Sequence, residues 1–166
     1  MNLQINISTK GALLSGKAPQ IIQAGLDRFI TMVTMFLLGE VQKRTPQGVY
    51  GAQGGLLGSI QAEVTGKGSP IIKGTVMSAQ KYAEVIEKGR TAGKGMPPKG
   101  TLVRWIEVKL GLSETEARKI EFVIRRKIGM KGFEGRHMFE KAVTENIGKI
   151  EAMAQACGLT IATELS

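Results

Sequence analysis

The chain has 166 residues, a net charge of +9, an apolar content of 42% and an aromatic content of 5%. This length fits one domain with a real core, and the apolar content excludes an intrinsically disordered chain. The single cysteine, Cys157, excludes a disulfide framework within the chain, and the opening residues lack the basic-then-apolar order of a secretory signal. The longest apolar stretch, residues 29–38, is about half a membrane span, so we expect no membrane segment.

The positive charge extends over most of the chain, and only the stretch from residue 142 onward has an acidic excess. Such a balance is compatible with a polyanionic partner such as DNA. The alternative is a solvated basic surface without a nucleic-acid partner, and charge alone does not decide between the two.

Residues 19–44 carry the strongest helical pattern of the chain. Apolar side chains recur there at three- and four-residue spacing, Pro19 suits a first helical turn, and Pro46 ends the helix. The helix is apolar on nearly all sides and must therefore be buried on several sides. One of those sides is predicted to contact another subunit, the alternative being a central core helix in a monomer. The predicted oligomer interface consists of Met32, Met35, Phe36 and Leu38.

The middle of the chain predicts a small antiparallel sheet. Residues 56–65 and 71–78 alternate in polarity and flank a turn rich in Gly, so they predict a long hairpin. Residues 82–87 fit either a helical turn or a strand. Residues 88–100 are rich in Gly, Pro and Lys and predict a mobile, exposed loop.

The C-terminal half predicts a series of helices. The first spans residues 101–110, with Trp105 directed into the core rather than stacked on nucleic-acid bases. The next begins at a capping box formed by Ser113 and Glu116 and runs to about Ile128. Its predicted buried residues are Ala117, Ile120, Val123, Ile124 and Ile128.

The last helix is predicted over residues 138–157, where Gly158 ends it before a terminal strand at 159–165. Residues 2–7 predict a short strand or an ordered arm within an N-terminal arm of residues 1–17. We therefore predict an α+β fold in a single domain of residues 1–166. It has a long N-terminal helix, a small antiparallel sheet with a long hairpin, and C-terminal helices packed on that sheet.

No catalytic, metal-binding or cofactor-binding constellation emerges from the sequence. The lone histidine, His137, has no cysteine or second histidine at metal-ligand spacing, and no Gly-x-Ser-x-Gly elbow accompanies it. Residues 89–95 superficially suggest a phosphate loop, but the glycine spacing is wrong and Gly95 stands where Ser or Thr is required. We expect no enzyme activity, no cofactor and no metal.

Several stretches, in their order along the chain, resemble the tail-component family of siphophages. They are Lys43-Arg44-Thr45-Pro46, Leu56-Leu57-Gly58-Ser59-Ile60, Tyr82-Ala83-Glu84-Val85-Ile86-Glu87-Lys88-Gly89, Met96-Pro97-Pro98 and Arg136-His137-Met138-Phe139-Glu140-Lys141-Ala142. The resemblance covers roughly residues 18–155. It departs from the family pattern at Gln53-Gly54-Gly55, where Asp-Thr-Gly is usual, and at His137, where proline is usual.

Members of this family act as tail-completion or head–tail joining proteins. The resemblance implies a structural virion protein of a tailed bacteriophage or prophage, assembled in the host cytoplasm and located in the neck. It implies a homo-oligomeric ring, expected to be a hexamer, that binds other neck and tail proteins and no membrane. We hypothesise that four basic residues face the lumen, with nonspecific DNA contact, or a neighbouring neck protein. They are Lys88, Arg90, Lys94 and Lys99.

The alternative function is a stand-alone basic nucleic-acid-binding protein. It would use the basic outer face of the helix that follows the capping box, and its DNA affinity would fall steeply with salt. The residues of this face are Arg118, Lys119, Arg125 and Arg126.

Overall fold

A computed structural model of the chain describes residues 16–49 and 55–166. The described helices are α1 (Ala18–Arg44), α2 (Gly55–Gly58), α3 (Ala83–Lys88), α4 (Val103–Leu110), α5 (Glu114–Lys131), α6 (Met138–Thr144) and α7 (Ile147–Leu165). The described strands are β1 (Ile60–Thr65), β2 (Lys73–Ser78), β3 (Gly89–Arg90) and β4 (Phe133–Glu134). The predicted α+β class, long N-terminal helix and small antiparallel sheet are confirmed. The strand or arm predicted at residues 2–7 lies outside the described residues.

Helix α1 has the bounds that its sequence predicts. Lys43 and Arg44 lie in its last turn, where positive charge interacts favourably with the helix dipole. The Thr45 hydroxyl then donates to the Val41 carbonyl at 2.7 Å, which satisfies one of the last carbonyls of the helix. Pro46 follows and stops further helical hydrogen bonding.

The chain divides into two compact units. Unit 1 comprises Met1–Phe36, Ala62–Thr75 and Glu145–Ser166, and unit 2 comprises Leu37–Gln61 and Val76–Thr144. Helix α1 and the β1–β2 hairpin therefore each contribute residues to both units. The prediction that residues 1–166 behave as one domain stays a prediction.

Unit 1 is formed by the first part of α1, the far end of the β1–β2 hairpin and α7. Gly25 of α1 lies directly against the Ile161 side chain of α7, so a larger residue at 25 would collide with it. Arg28 pairs with Glu164 at 2.8 Å, and the Asp27 carboxylate accepts the Gly68 backbone N–H at 2.9 Å. Close helix contact and polar links, rather than buried large side chains, hold this unit together.

Unit 2 holds two clusters of buried apolar residues. The first comprises Val41, Leu56, Ile60, Ala83, Met138 and Ala142. The second comprises Val103, Ile106 and Ala117, which join α4 to α5. Ile106 and Met138 are completely buried, and each such side chain contributes roughly 1.5–3 kcal/mol relative to its exposed state.

The described structure differs from the predicted strands at the start of the hairpin. Residues 55–58 form the single helical turn α2, so β1 begins at Ile60 rather than at Leu56. The Ser59 hydroxyl donates to the Leu56 carbonyl at 2.7 Å and closes this turn. Residues 82–87, which fitted either a helical turn or a strand, form most of α3.

The predicted C-terminal end of the last helix and the terminal strand at 159–165 are wrong. The helix predicted at 138–157 is two helices, separated at residues 145–146, and the second continues through Gly158 to Leu165. Glycine costs only about 1 kcal/mol inside a helix, which its neighbours can offset. The Thr160 and Thr163 hydroxyls donate to the carbonyls four residues earlier, both at 2.9 Å, and so fit the helix.

The predicted burial of Trp105 and of Val123 is also wrong. Trp105 is 42% exposed and Val123 is 64% exposed, whereas Ile106 is fully buried. The buried Glu121 takes an inward position on α5 because its carboxylate accepts the Leu102 N–H at 3.2 Å, just before α4 begins. Two packed helices need to bury only one face of each, and in α4 and α5 the buried apolar residues are only Val103, Ile106 and Ala117.

Candidate functional site

Two stretches that carry the family resemblance meet at Glu87. Its carboxylate accepts the backbone N–H of Phe139 at 3.1 and 3.2 Å, and that of Glu140 at 3.0 Å. These two groups lie in the first turn of α6, where backbone N–H groups have no partner within the helix. Glu87 therefore caps α6 from α3.

The backbones of the same two stretches run against each other. The Arg136 N–H donates to the Ile86 carbonyl at 2.8 Å, and β3 pairs with β4 in antiparallel register. Gly89 has a φ of 78°, and a side chain there would collide with the backbone of Phe133 and Gly135. Glycine is required here both for the backbone conformation and for the close approach. The motif residues hold unit 2 together rather than line a ligand pocket.

His137 immediately precedes α6. Its φ is 52°, the one positive value at a non-glycine position among the described residues. Its Nδ1 lies 2.8 Å from a carboxylate oxygen of Glu140, and its backbone N–H donates to the Glu87 carbonyl at 3.0 Å. Among the described residues, no group of three or more metal-ligating side chains is close enough to hold an ion.

The four basic residues predicted to face a lumen or DNA fall into two pairs. Lys88 and Arg90 have partners within the chain, whereas Lys94 and Lys99 form no ion pair among the described residues. Lys88 forms an ion pair with Glu84 at 2.7 Å, and this hydrogen bond raises the pKa of Lys88 and lowers the pKa of Glu84. Arg90 donates to the Lys94 and Gly95 carbonyls at 2.8 and 3.1 Å, so its guanidinium holds the loop.

Lys94 and Lys99 are exposed, and neither ammonium group has an ion-pair partner among the described residues. Residues 91–100, which carry them, have no helix or strand, whereas Lys88 and residues 89–90 of the predicted loop belong to α3 and β3. The loop is hydrogen-bonded to α5, because the Gly93 N–H donates to the Gly129 carbonyl at 2.8 Å and Arg125 donates to the Pro97 carbonyl at 2.6 Å. Mobility of this loop stays a prediction.

The basic face assigned to nucleic-acid binding also contains two residues with partners and two without an ion pair among the described residues. Arg118 pairs with Glu114 at 2.6 Å, and this hydrogen bond raises the pKa of Arg118. Arg125 is used to hold the loop. Lys119 and Arg126 are exposed on one side of α5 and form no ion pair within the described part of the chain.

The predicted oligomer interface lies on α1. Met32 and Met35 are 46% and 51% exposed and line an open depression together with Asp27, Arg28, Thr31 and Lys67. Phe36 is half-buried, with the Lys149 ammonium 5.9 Å from the centre of its ring. Leu38 packs against the first buried cluster of unit 2, so little of it is accessible to another subunit.

Exposed apolar side chains are a general property of unit 1. Every fully buried hydrophobic residue of the described chain belongs to unit 2. Both units expose large apolar side chains, and those of unit 1 are Ile22, Leu26, Met32, Met35, Ile71, Ile147 and Leu159. Ile71 and Leu159 were predicted as strand residues, and no sequence signal marked them as exposed.

By length and composition α1 could also cross a membrane, a test that the core helix of a soluble protein passes as well.

Comparisons with protein-family models, with curated proteins and with solved structures each found no match to this chain. The fold and the described surfaces are those of an α+β protein that exposes apolar side chains on its first and fifth helices.

Proposed function

We propose that this chain is a structural subunit of the neck of a tailed bacteriophage or prophage. It assembles into a homo-oligomeric ring and joins the tail to the head. The ordered resemblance to siphophage tail components supports the neck assignment. The observation that carries self-assembly is that unit 1 exposes large apolar side chains and fully buries none among its described residues.

Groups of exposed apolar side chains are typically covered by a binding partner. Scattered exposed apolar residues are ordinary, but larger groups of them mark interaction sites. A specific interface covers about 800 Å² on each partner, which is enough to bury several large side chains. In α1, four such residues of unit 1 are each about two-fifths to one-half exposed: Ile22, Leu26, Met32 and Met35.

These four residues form two separate patches, as a ring requires. At 3.6 residues per turn, Ile22 and Leu26 share one side of α1, and Met32 and Met35 lie about 130° around the helix axis from them. A ring needs two different surfaces on each subunit, because each subunit contacts one neighbour with one surface and the other neighbour with another. A single self-complementary patch would favour a two-fold dimer instead.

The basic loop supports the same assignment. Lys94 and Lys99 extend from it without ion-pair partners in the described structure. Positive charge around a lumen would let the phosphate backbone pass without electrostatic repulsion. Arg90 holds the loop, so in this proposal it acts indirectly by keeping the loop's shape, whereas Lys88 pairs with Glu84 within α3.

The test is the mass of the protein in solution, measured by light scattering over a wide range of concentrations. Met35→Lys places a charge in the proposed contact. Met130→Lys makes the same change at another exposed methionine, on α5 in unit 2, and serves as the matched control. We expect the unmodified chain and the control to form the same oligomer, and Met35→Lys to remain monomeric.

Other outcomes would point elsewhere. If all three proteins are folded monomers at every concentration, self-assembly through α1 is contradicted. If the chain is monomeric only when bound to detergent or lipid vesicles, α1 is a membrane segment. If it is monomeric and binds duplex DNA with an affinity that falls steeply with salt, the nucleic-acid-binding function replaces the neck assignment.

A further inference from the structure

Helix α5 presents a second unpartnered surface, in unit 2. Five of its side chains are exposed on one side: Lys119, Phe122, Val123, Arg126 and Met130. We call them the α5 face. Phe122, Val123 and Met130 are 55%, 64% and 64% exposed, so more than half of each large apolar side chain contacts water. Three such residues on one helix face are unusual for a surface without a partner.

The cations and the apolar groups of the α5 face are interleaved. With 100° between successive residues, Phe122 and Met130 lie about 40° to either side of Arg126. Residues four apart are neighbours on a helix surface, which places Arg126 beside both of them and Lys119 beside Val123. The positive charge is thus in the middle of the apolar surface rather than along its edge.

No carboxylate of α5 neutralises this face. Its three acidic residues are all engaged elsewhere: Glu114 pairs with Arg118, Glu116 is bound to Ser113 in the capping box, and the buried Glu121 accepts the Leu102 N–H. The α5 face therefore combines apolar area with uncompensated positive charge, and a complementary surface would combine apolar area with negative charge.

We infer that the α5 face docks an acidic, apolar surface of a different protein. Carboxylates of that partner would pair with Arg126 and Lys119 while its apolar side chains cover Phe122, Val123 and Met130. Arginine and aromatic residues at the centre of an interface are the types that contribute most to affinity. This inference goes beyond the proposed self-assembly and does not depend on it.

A second copy of this chain is a poorer occupant. Most of its carboxylates are already engaged. Among the described residues, only Glu63, Glu134 and Glu151 have side chains with no hydrogen bond or ion pair.

Duplex DNA and a lipid bilayer are also poorer occupants. Phosphates would satisfy Arg126 and Lys119 but would leave the exposed apolar area of Phe122 and Met130 uncovered. A helix that lies in a bilayer surface keeps its cations on the side away from the acyl chains. Here, immersing Phe122 and Met130 would take Arg126 with them, at a large cost in desolvation.

The test uses the full chain and a fluorescent helical peptide of repeated Leu and Glu, in which Leu forms one face and Glu flanks it. A peptide with Ser in place of Leu keeps the charge and removes the apolar face. Duplex DNA and vesicles of anionic lipid are measured in the same buffer. Two variants remove one feature each from the α5 face: Phe122→Ala and Arg126→Gln.

Each variant has a matched control. Leu159→Ala truncates a comparably exposed apolar residue on α7, and Arg104→Gln removes an exposed positive charge from α4. We expect Phe122→Ala and Arg126→Gln each to weaken binding of the Leu/Glu peptide about tenfold, and each control to weaken it less than about twofold. Circular dichroism confirms that each variant retains its helices.

Three results would overturn the inference. The Leu/Glu peptide could fail to bind the folded chain. It could bind no better than the Ser/Glu peptide, with Phe122→Ala having no effect, which would show that charge alone is recognised. Duplex DNA or anionic vesicles could bind more tightly than the peptide and lose affinity in the same two variants, which would assign the α5 face to nucleic acid or to lipid.

Discussion

Removing the Glu87 carboxylate should destabilise unit 2 through α6. In the described structure this carboxylate accepts hydrogen bonds from the backbone N–H groups of Phe139 and Glu140, with donor–acceptor distances of 3.0–3.2 Å. Both groups lie in the first turn of α6, and the helix itself offers them no partner. Glu87→Ala leaves them to water, and the Phe139 N–H is only partly accessible to water.

The size of the effect follows from these two bonds. Replacing a side chain that caps a helix costs about 0.5–2 kcal/mol, and bonds to a charged acceptor lie toward the upper end of that range. We expect Glu87→Ala to lower the free energy of unfolding by about 1.5 kcal/mol, or the melting temperature by about 3–6 °C. Glu87→Gln keeps an oxygen acceptor without the charge and should lose about half as much.

The assay is urea denaturation followed by the fluorescence of Trp105, which belongs to unit 2 with Glu87. Glu84→Ala is the matched control, because it removes an exposed carboxylate from the same helix, paired only with Lys88. Exposed pairs of this kind contribute less than about 1 kcal/mol. Equal effects of Glu87→Ala and Glu84→Ala would refute the capping role.

Two further predictions concern the backbone and the ionisation of unit 2. Gly93→Ala should lower the free energy of unfolding by about 1 kcal/mol, and Gly89→Ala should lower it by more. Both positions have positive φ, but only position 89 is crowded by neighbouring backbone. Equal thermal shifts for the two variants would contradict this. Hydrogen bonds from Lys43 and then Arg44 lower the pKa of Glu40 from 4.5 to about 2. Its contribution to stability is therefore complete above pH 4.5 and is lost as the pH falls toward 2. The difference in urea midpoint between the unmodified chain and Glu40→Gln should shrink over that interval, and a constant difference would contradict the assignment.

The sequence predicted best those features whose causes are local. The capping box of Ser113 and Glu116 is present with both reciprocal hydrogen bonds, because all its atoms lie within one turn. The bounds of α1 were likewise set by nearby residues, with Pro19 at one end and Pro46 beyond the other. Such signals require no knowledge of what packs against the helix.

The features that could not be predicted depend on distant residues. Glu87 and the start of α6 are about fifty residues apart in sequence, so no local pattern marks Glu87 as a cap. The periodicity of α5 placed Val123 inward and could not show that Glu121 would occupy an inward position to bond Leu102. In α7, an isolated glycine and alternating β-branched residues favoured a strand, whereas the helix continues to Leu165 and sets Ile161 against Gly25 of α1.

The residues that carry the family resemblance and the residues that offer a function are different sets. Glu87, Gly89 and Arg136 join α3 to the start of α6, so they account for the local structure of unit 2. Both proposals rest instead on exposed surfaces. The two strongest candidates differ in chemistry, because Met32 and Met35 offer mainly apolar area whereas the α5 face interleaves it with positive charge.

This difference makes the two proposed contacts separable by salt. Apolar association on α1 should persist or strengthen at high ionic strength, because salt leaves burial of apolar area intact and excluded salts enhance it. Docking of an acidic partner on the α5 face should weaken, because the Debye length shrinks from about 10 Å at 0.1 M to about 3 Å at 1 M salt. If both associations responded to salt in the same direction, the difference in chemistry assigned to the two contacts would be wrong.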